Sequence, residues 1–250
     1  MPESLIPIVL LPGTGCNESL WHGILPFLPQ DKILPIMPNI LQYSDQESML
    51  NHIYRLPYEK FILLGFSMGG YLAQHFYVKH PHRVENLILL CTSGDERRMN
   101  EATIENNMQK LMHENYLMQM IKSDTPKPQR DQLIEQLRTM LNEVGLDTVR
   151  HQMLATKQRQ SVLQLFPAQP VPTLVVGARY DTIVPKSAIL RLATALQATA
   201  NVEWVDCGHM LPLEQPETLG LILQHWLFCS TKAKGLINRL DPLSSIVFCQ

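Results

Sequence analysis

The run Phe61-Ile62-Leu63-Leu64-Gly65-Phe66-Ser67-Met68-Gly69-Gly70 constrains this chain more than any other stretch. It begins as an apolar segment of the length of a buried strand. A helical pattern, Tyr71-Leu72-Ala73-Gln74-His75-Phe76-Tyr77, follows with no linker. A strand that turns directly into a helix forces its turn residue into a strained backbone conformation. Gly65 and Gly69 remove side chains that would collide there. Ser67 is therefore expected at the C-terminal edge of a sheet, beside the unpaired N–H groups of a helix N-terminus. A glycine-rich turn with an uninvolved serine could carry the same letters, so the rest of the chain has to decide.

Upstream, Ile6 to Leu11 reads as a buried parallel strand, and Pro12-Gly13-Thr14-Gly15 as the loop that leaves it. This Gly-x-Gly is no dinucleotide fingerprint, because the third glycine and the ribose-binding acid are missing. A short helix is expected from Asn17 to about Leu28, a strand from Lys32 to Met37 and a helix from Gln46 to Tyr54. The helix after Ser67 should stop near His80, before Pro81. Arg83 to Cys91 reads as the next strand.

From Asp95 to Gln169 the chain becomes polar, rich in Gln, Glu and Met, and helical in period, with no strand expected. Helices are predicted over 101–121, 128–143 and 146–158, punctuated by Pro126, Pro128 and Gly145. Seven of the twelve Met lie here; they suit either ordinary helix packing or a flexible lining over an apolar pocket. After Pro172 the alternation resumes. Strands are expected at Thr173–Gly177 and Asn201–Val205, and helices at Ser187–Thr199 and Pro216–Phe228. The expected class is α/β, a mostly parallel sheet with helices on both faces. Residues 1–94 and 170–228 would form its core and 95–169 a helical insertion. Residues 229–250 would be an extension, either an extra helix or a loose tail.

A chain of 250 residues fits one domain with an insertion. A net charge of −2 without blocks of like charge argues against a nucleic-acid footprint. The first eleven residues lack the basic start and cleavage site of a signal peptide, and no apolar run has the length of a membrane span. Five scattered cysteines (Cys16, Cys91, Cys207, Cys229, Cys249) point to free thiols in a reducing cytoplasm. Neither CxxC nor HExxH is present, so a metal site has no sequence support.

Thr14, Ser67, Asp181 and His209 all fall just after expected strands, where parallel sheets bind ligands. A serine hydroxyl needs a base within reach, and that base needs a partner to fix its tautomer. His209, following a strand and Gly208, is the best base; the other eight His sit on helices or lack context. Asp181 is the best orienting acid, though an Asx-turn role would also explain it. Asp95 is second, and Asp206 is too close to His209 in sequence. The order Ser67, Asp181, His209 matches one triad class. The amides of Met68 and Thr14 are the candidate oxyanion donors.

These motifs together resemble the α/β-hydrolase family. Gly65-Phe66-Ser67-Met68-Gly69-Gly70 is similar to its nucleophile elbow, and Leu11-Pro12-Gly13-Thr14-Gly15 to its oxyanion loop. Gly177 to Pro185 resembles its acid loop, and Cys207 to Glu217 its histidine loop. The resemblance covers Ile6 to Phe228. It implies a helical lid at 95–169 and chemistry without a cofactor. Pro12 stands where the family usually has a His that supports the oxyanion loop. The start directly at the first core strand implies a small sheet of about six strands.

Within the family, the chain looks most like small carboxylesterases, including those acting on carrier-protein methyl esters. The implied activity is a serine esterase forming an acyl-enzyme, its partner a small-molecule ester or an acyl carrier protein. Lyases, carbon–carbon bond hydrolases and non-catalytic ligand-binding members share the layout, and fold alone does not separate them. In the lyase or carbon–carbon reading, Arg159 could hold a substrate carboxylate; a solvated arginine of the lid is the plainer expectation. Arg138, Arg150, Lys157 and Arg159 could together form a basic patch for an acidic carrier.

Overall fold

The computed structural model describes residues 5–229. The apolar runs form the strands that their composition predicts. β1 (Ile6–Leu11) leads through two 3₁₀ turns (Glu18–Trp21, Leu25–Phe27) to β2 (Ile33–Ile36) and α1 (Gln46–Tyr54). β3 (Phe61–Phe66), α2 (Met68–Lys79) and β4 (Val84–Leu90) follow. Next come β5 (Arg97–Arg98), α3 (Glu101–Leu111), α4 (Glu114–Gln119), α5 (Lys127–Val144), α6 (Leu146–Ala155) and β6 (Gln158–Arg159). The chain returns through β7 (Thr173–Ala178), α7 (Lys186–Ala195), β8 (Val202–Val205), α8 (Leu211–Glu214) and α9 (Pro216–Phe228).

Six strands form one sheet in the order β2-β1-β3-β4-β7-β8, parallel at every pairing. Continuous apolar strands require cover on both faces, and residue parity divides them. Ile8, Leu10, Ile62, Leu64, Phe66, Ile88 and Leu90 join the core under α9 and the helices between β4 and β7. Val9, Leu11, Phe61, Leu63, Leu87 and Leu89 join the core under α1, α2 and α7. From β1 the chain runs outward to β2, then crosses to β3 on the other side. The strand order therefore reverses between β1 and β3, and a crevice opens there beyond the strand ends.

Three expectations needed correction. The helix expected over Asn17–Leu28 is two 3₁₀ turns, the first capped by the Asn17 side chain accepting from the Ser19 amide. The helix expected over 101–121 is two, α3 and α4. At the break the Met112 and His113 amides bond to the Gln109 and Lys110 carbonyls, three residues back. The segment expected to hold no strand contains the β5–β6 ladder, with Arg97 opposite Arg159 and Arg98 opposite Gln158. That ladder closes where the two ends of the helical segment meet. It is a long-range contact with no local periodicity to announce it. The extension left undecided beyond Cys229 lies outside the described residues. No helix among the described residues is long and apolar enough to cross a membrane.

Candidate active site

Ser67 sits between β3 and α2 with φ 52° and ψ −111°, a conformation that costs about 1–3 kcal/mol. The neighbours hold it there. Its amide donates to the Leu90 carbonyl at 3.0 Å, and its carbonyl accepts from Thr92 Oγ1 at 2.8 Å. A Cβ on Gly69 would lie 2.1 Å from the Leu11 carbonyl oxygen, and one on Gly65 2.4 Å from that of Gly69. Both glycines are thus required by close backbone packing, and the serine is raised at the strand end.

His209 follows β8, is 4% exposed and lies against Phe66 with ring centroids 5.2 Å apart. Its Nδ1 is 2.8 Å from Asp181 Oδ2 and its Nε2 is 3.1 Å from Ser67 Oγ. A carboxylate only accepts, so Nδ1–H donates to Asp181; in the neutral ring Nε2 then accepts from the serine hydroxyl. Asp181 also fills the turn role: its Oδ1 accepts from the Ile183 and Val184 amides at 2.8 and 2.9 Å. One oxygen orders the loop and the other orients the histidine. The other acids lie elsewhere, Asp95 paired with Arg191 and Asp206 with Lys122.

The histidine loop has a support that sequence reasoning gave no role. Buried Glu214 accepts through Oε2 from the Gly208 amide at 2.9 Å and the Lys122 amide at 2.8 Å. Burial pushes its carboxyl above the usual range, although these amides and His209 pull the other way. Gly208 is needed for close approach, since a Cβ there would lie 2.6 Å from the Met120 carbonyl oxygen.

The loop after β1 lines the same cavity through Thr14. It lacks the usual histidine, and its support comes from elsewhere. The Gly15 amide, at φ +72°, donates to Oε1 of fully buried Gln152 on α6 at 2.9 Å. The Cys16 amide closes a turn onto the Gly13 carbonyl at 3.2 Å. Met68 is the first residue of α2, where an N–H has no intrahelical acceptor.

The model of the Alpha/beta hydrolase family matches residues 8–219, which is most of the chain. The chain belongs to this family. A pimeloyl-acyl-carrier-protein methyl ester esterase of Aeromonas hydrophila is 24% identical over 249 residues, covering 88% of this chain and 94% of the relative. An enzyme of the same name from Legionella pneumophila (strain Lens) is 33% identical over 92 residues. That match spans 35% of this chain and only 38% of the relative's length. Among solved structures, a Thermogutta terrifontis esterase has a TM-score of 0.68 at 23% identity, covering 89% of each chain. An enol-lactonase from Burkholderia xenovorans LB400 has 0.75 at 16%, covering 90% and 92%. At these identities the structural likenesses speak for the fold alone.

The hydrolase's cavity, about 480 Å³, is lined by Ser67 and His209 on the sheet side and by residues of the helical segment above. Met99, Met120 and Met153 face it, while Met140 is buried in the core and Met112 is 59% exposed. The Met-rich composition thus serves both lining and packing. Cys16 and Cys91 also line the cavity, but burial pushes Cys16 up to about 12 and Cys91 well above its ordinary value. Neither presents a thiolate to compete with Ser67. The four described cysteines are all free.

The basic residues divide. Arg138 pairs with Glu114 and Arg150 with Glu101, so two members of the expected carrier-docking patch are neutralised within the segment. Arg159, expected to be solvated, is half-buried and lines the cavity.

Proposed function

We propose that this alpha/beta hydrolase cleaves a carboxylic ester through Ser67, His209 and Asp181. The observation that carries the reading is the linked pair of bonds, Ser67 to His209 at 3.1 Å and His209 to Asp181 at 2.8 Å. Ser67 Oγ attacks the carbonyl carbon as its proton passes to His209 Nε2. Asp181 stabilises the imidazolium, and the Thr14 and Met68 amides receive the oxyanion. The tetrahedral adduct collapses, the alcohol departs with the proton from His209, and an acyl-Ser67 ester remains. Water then gives a proton to His209 and attacks that ester. Collapse releases the carboxylic acid and returns the proton to Ser67 Oγ.

The segment 95–169 acts as a lid, supported by its methionines facing the cavity and by its bonds to Gly15 and Glu214. Small-molecule esters are the first substrate class. Esters linked to an acyl carrier are a narrower form, supported by the printed name of the Aeromonas relative.

The test is hydrolysis of p-nitrophenyl esters from acetyl to decanoyl by the native chain and Ser67→Ala, with fluorophosphonate labelling of both. Turnover and labelling that vanish in the variant support the reading. Turnover that persists in Ser67→Ala, or a native chain that neither hydrolyses nor labels, rejects it.

A further inference from the structure

Three cations line the catalytic cavity: Arg97 and Arg159 from the β5–β6 ladder and Lys110 from α3. None forms an ion pair among the described residues, whereas Arg138, Arg150 and Arg191 all do. Of the two acids lining the cavity, Asp95 is engaged by both Arg191 Nε and Nη2, at 3.1 and 2.6 Å. Only exposed Glu96 remains against three positive charges.

The arrangement is costly as it stands. Arg97 and Arg159 are directly opposed in an antiparallel ladder, where like charges destabilise the pairing. The Arg159 guanidinium lies over the Tyr71 ring, 4.8 Å from its centroid, and its buried Nε has no hydrogen-bond partner. Burial, and secondly Arg97, push the Arg159 pKa down to about 10, so the group remains charged at neutral pH. Stacking on Tyr71 restricts where the guanidinium fork can go. A fork with an unpaired buried donor, beside a second guanidinium and facing a cavity, suits an oxyanion that it can grip at two points.

We propose that Arg97, Lys110 and Arg159 form an anion subsite of the catalytic cavity, and that the ester cleaved at Ser67 carries a carboxylate or phosphate group seated there. This rests on the ester-hydrolase reading and narrows it. Neutral esters enter the same cavity but leave the cations unpaired, so the anionic group supplies selectivity.

The experiment measures kcat/KM for monomethyl glutarate and monomethyl adipate against their dimethyl esters, and for 2-acetoxyethyl phosphate against ethyl acetate. The proteins are native, Arg159→Met and Arg97→Met. The native enzyme should prefer at least one anionic ester about tenfold or more, and Arg159→Met should lower that rate about tenfold to hundredfold. Neutral esters never make the charge-assisted contact, so their rates should stay within about twofold. Arg97→Met provides the same comparison if Arg159→Met does not fold. Preference for the half-esters alone assigns a carboxylate, and for the phosphate ester alone a phosphate; both support the subsite. Equal native rates on charged and neutral esters, or a parallel fall of both in the variants, overturn it. If no ester is cleaved, the function reading fails separately. Calorimetric titration with glutarate and inorganic phosphate then decides the subsite. Binding lost in Arg159→Met sustains it, and no binding to the native protein rejects it.

Discussion

The Gly15 amide donates to Gln152 Oε1 at 2.9 Å, a buried bond between residues 137 apart that ties the loop after β1 to the helical segment between β4 and β7. Through it α6 helps set the position of the neighbouring Thr14 amide, the proposed oxyanion donor. The loop, which carries Pro12 and no histidine, is held here by a glutamine on a different element. Gln152→Leu keeps the bulk but removes the acceptor and leaves a buried N–H unpaired, which costs about 1–3 kcal/mol. The expected outcome is a kcat lowered about tenfold on p-nitrophenyl esters with KM little changed, as for an interaction felt mainly in the transition state. A lower melting temperature with unchanged kcat would show that the bond supports only the fold.

Asp181 makes a sharper prediction, because its two oxygens have separate duties. In Asp181→Asn, the Ile183 and Val184 amides require that the side-chain oxygen stay where Oδ1 is now. The NH₂ group then faces His209 Nδ1, which must accept. The ring's proton moves to Nε2, and Ser67 loses its base. A fall in kcat on the order of 10⁴-fold is expected, with the melting temperature nearly unchanged. An Asn variant with more than about a tenth of native activity would mean that the tautomer is not fixed by Asp181.

Glu214 acts at one remove. Its Oε2 joins Gly208, next to the histidine, to Lys122 in the helical segment. Glu214→Leu orphans both amides, at about 1–3 kcal/mol each, and frees the histidine loop. Glu214→Gln retains one acceptor oxygen for them. Steady-state rates and thermal melts should show Glu214→Leu losing stability and about tenfold or more in kcat, with Glu214→Gln recovering most of both. Equal damage in the two variants would assign the effect to the carboxylate charge instead.

What the sequence disclosed depended on whether the chemistry was local. Ser67, Asp181 and His209 each stand just past an apolar strand run, so a strand-exit rule found them and the structure brings them together. The division of β3 side chains between the two cores, Ile62, Leu64 and Phe66 on one face and Phe61 and Leu63 on the other, emerged only from the packing. Gln152 and Glu214 had no such marker, because each accepts from an amide far along the chain, Gln152 from Gly15 and Glu214 from Lys122. Arg159 was weighed as a lid arginine, a carboxylate holder or part of a basic patch for an acidic carrier. Its place depends on pairing with Arg97, 62 positions earlier, and the helical period of the segment between them gave no hint of a ladder.

His75 carries the last prediction. It lies on α2 beside the Tyr71 ring, 4.3 Å between centroids, and near the Gln160 backbone. Burial holds its pKa down at about 4, against an ordinary value of 6.5, with Lys79 and Arg159 adding to the shift. Between those values the unfolded chain takes up a proton that the folded chain refuses. Folding is therefore weakened as pH falls through this interval, and the loss is complete below the folded value. The ring is partly exposed, so solvent screening reduces the effect, but its sign is fixed. His75→Gln keeps a polar side chain at this position and removes the titration. Thermal unfolding at pH 7 and pH 4.5 should show a smaller pH-induced fall in melting temperature for the variant than for the native chain. An equal or larger fall would mean that His75 takes up its proton without cost in the folded protein.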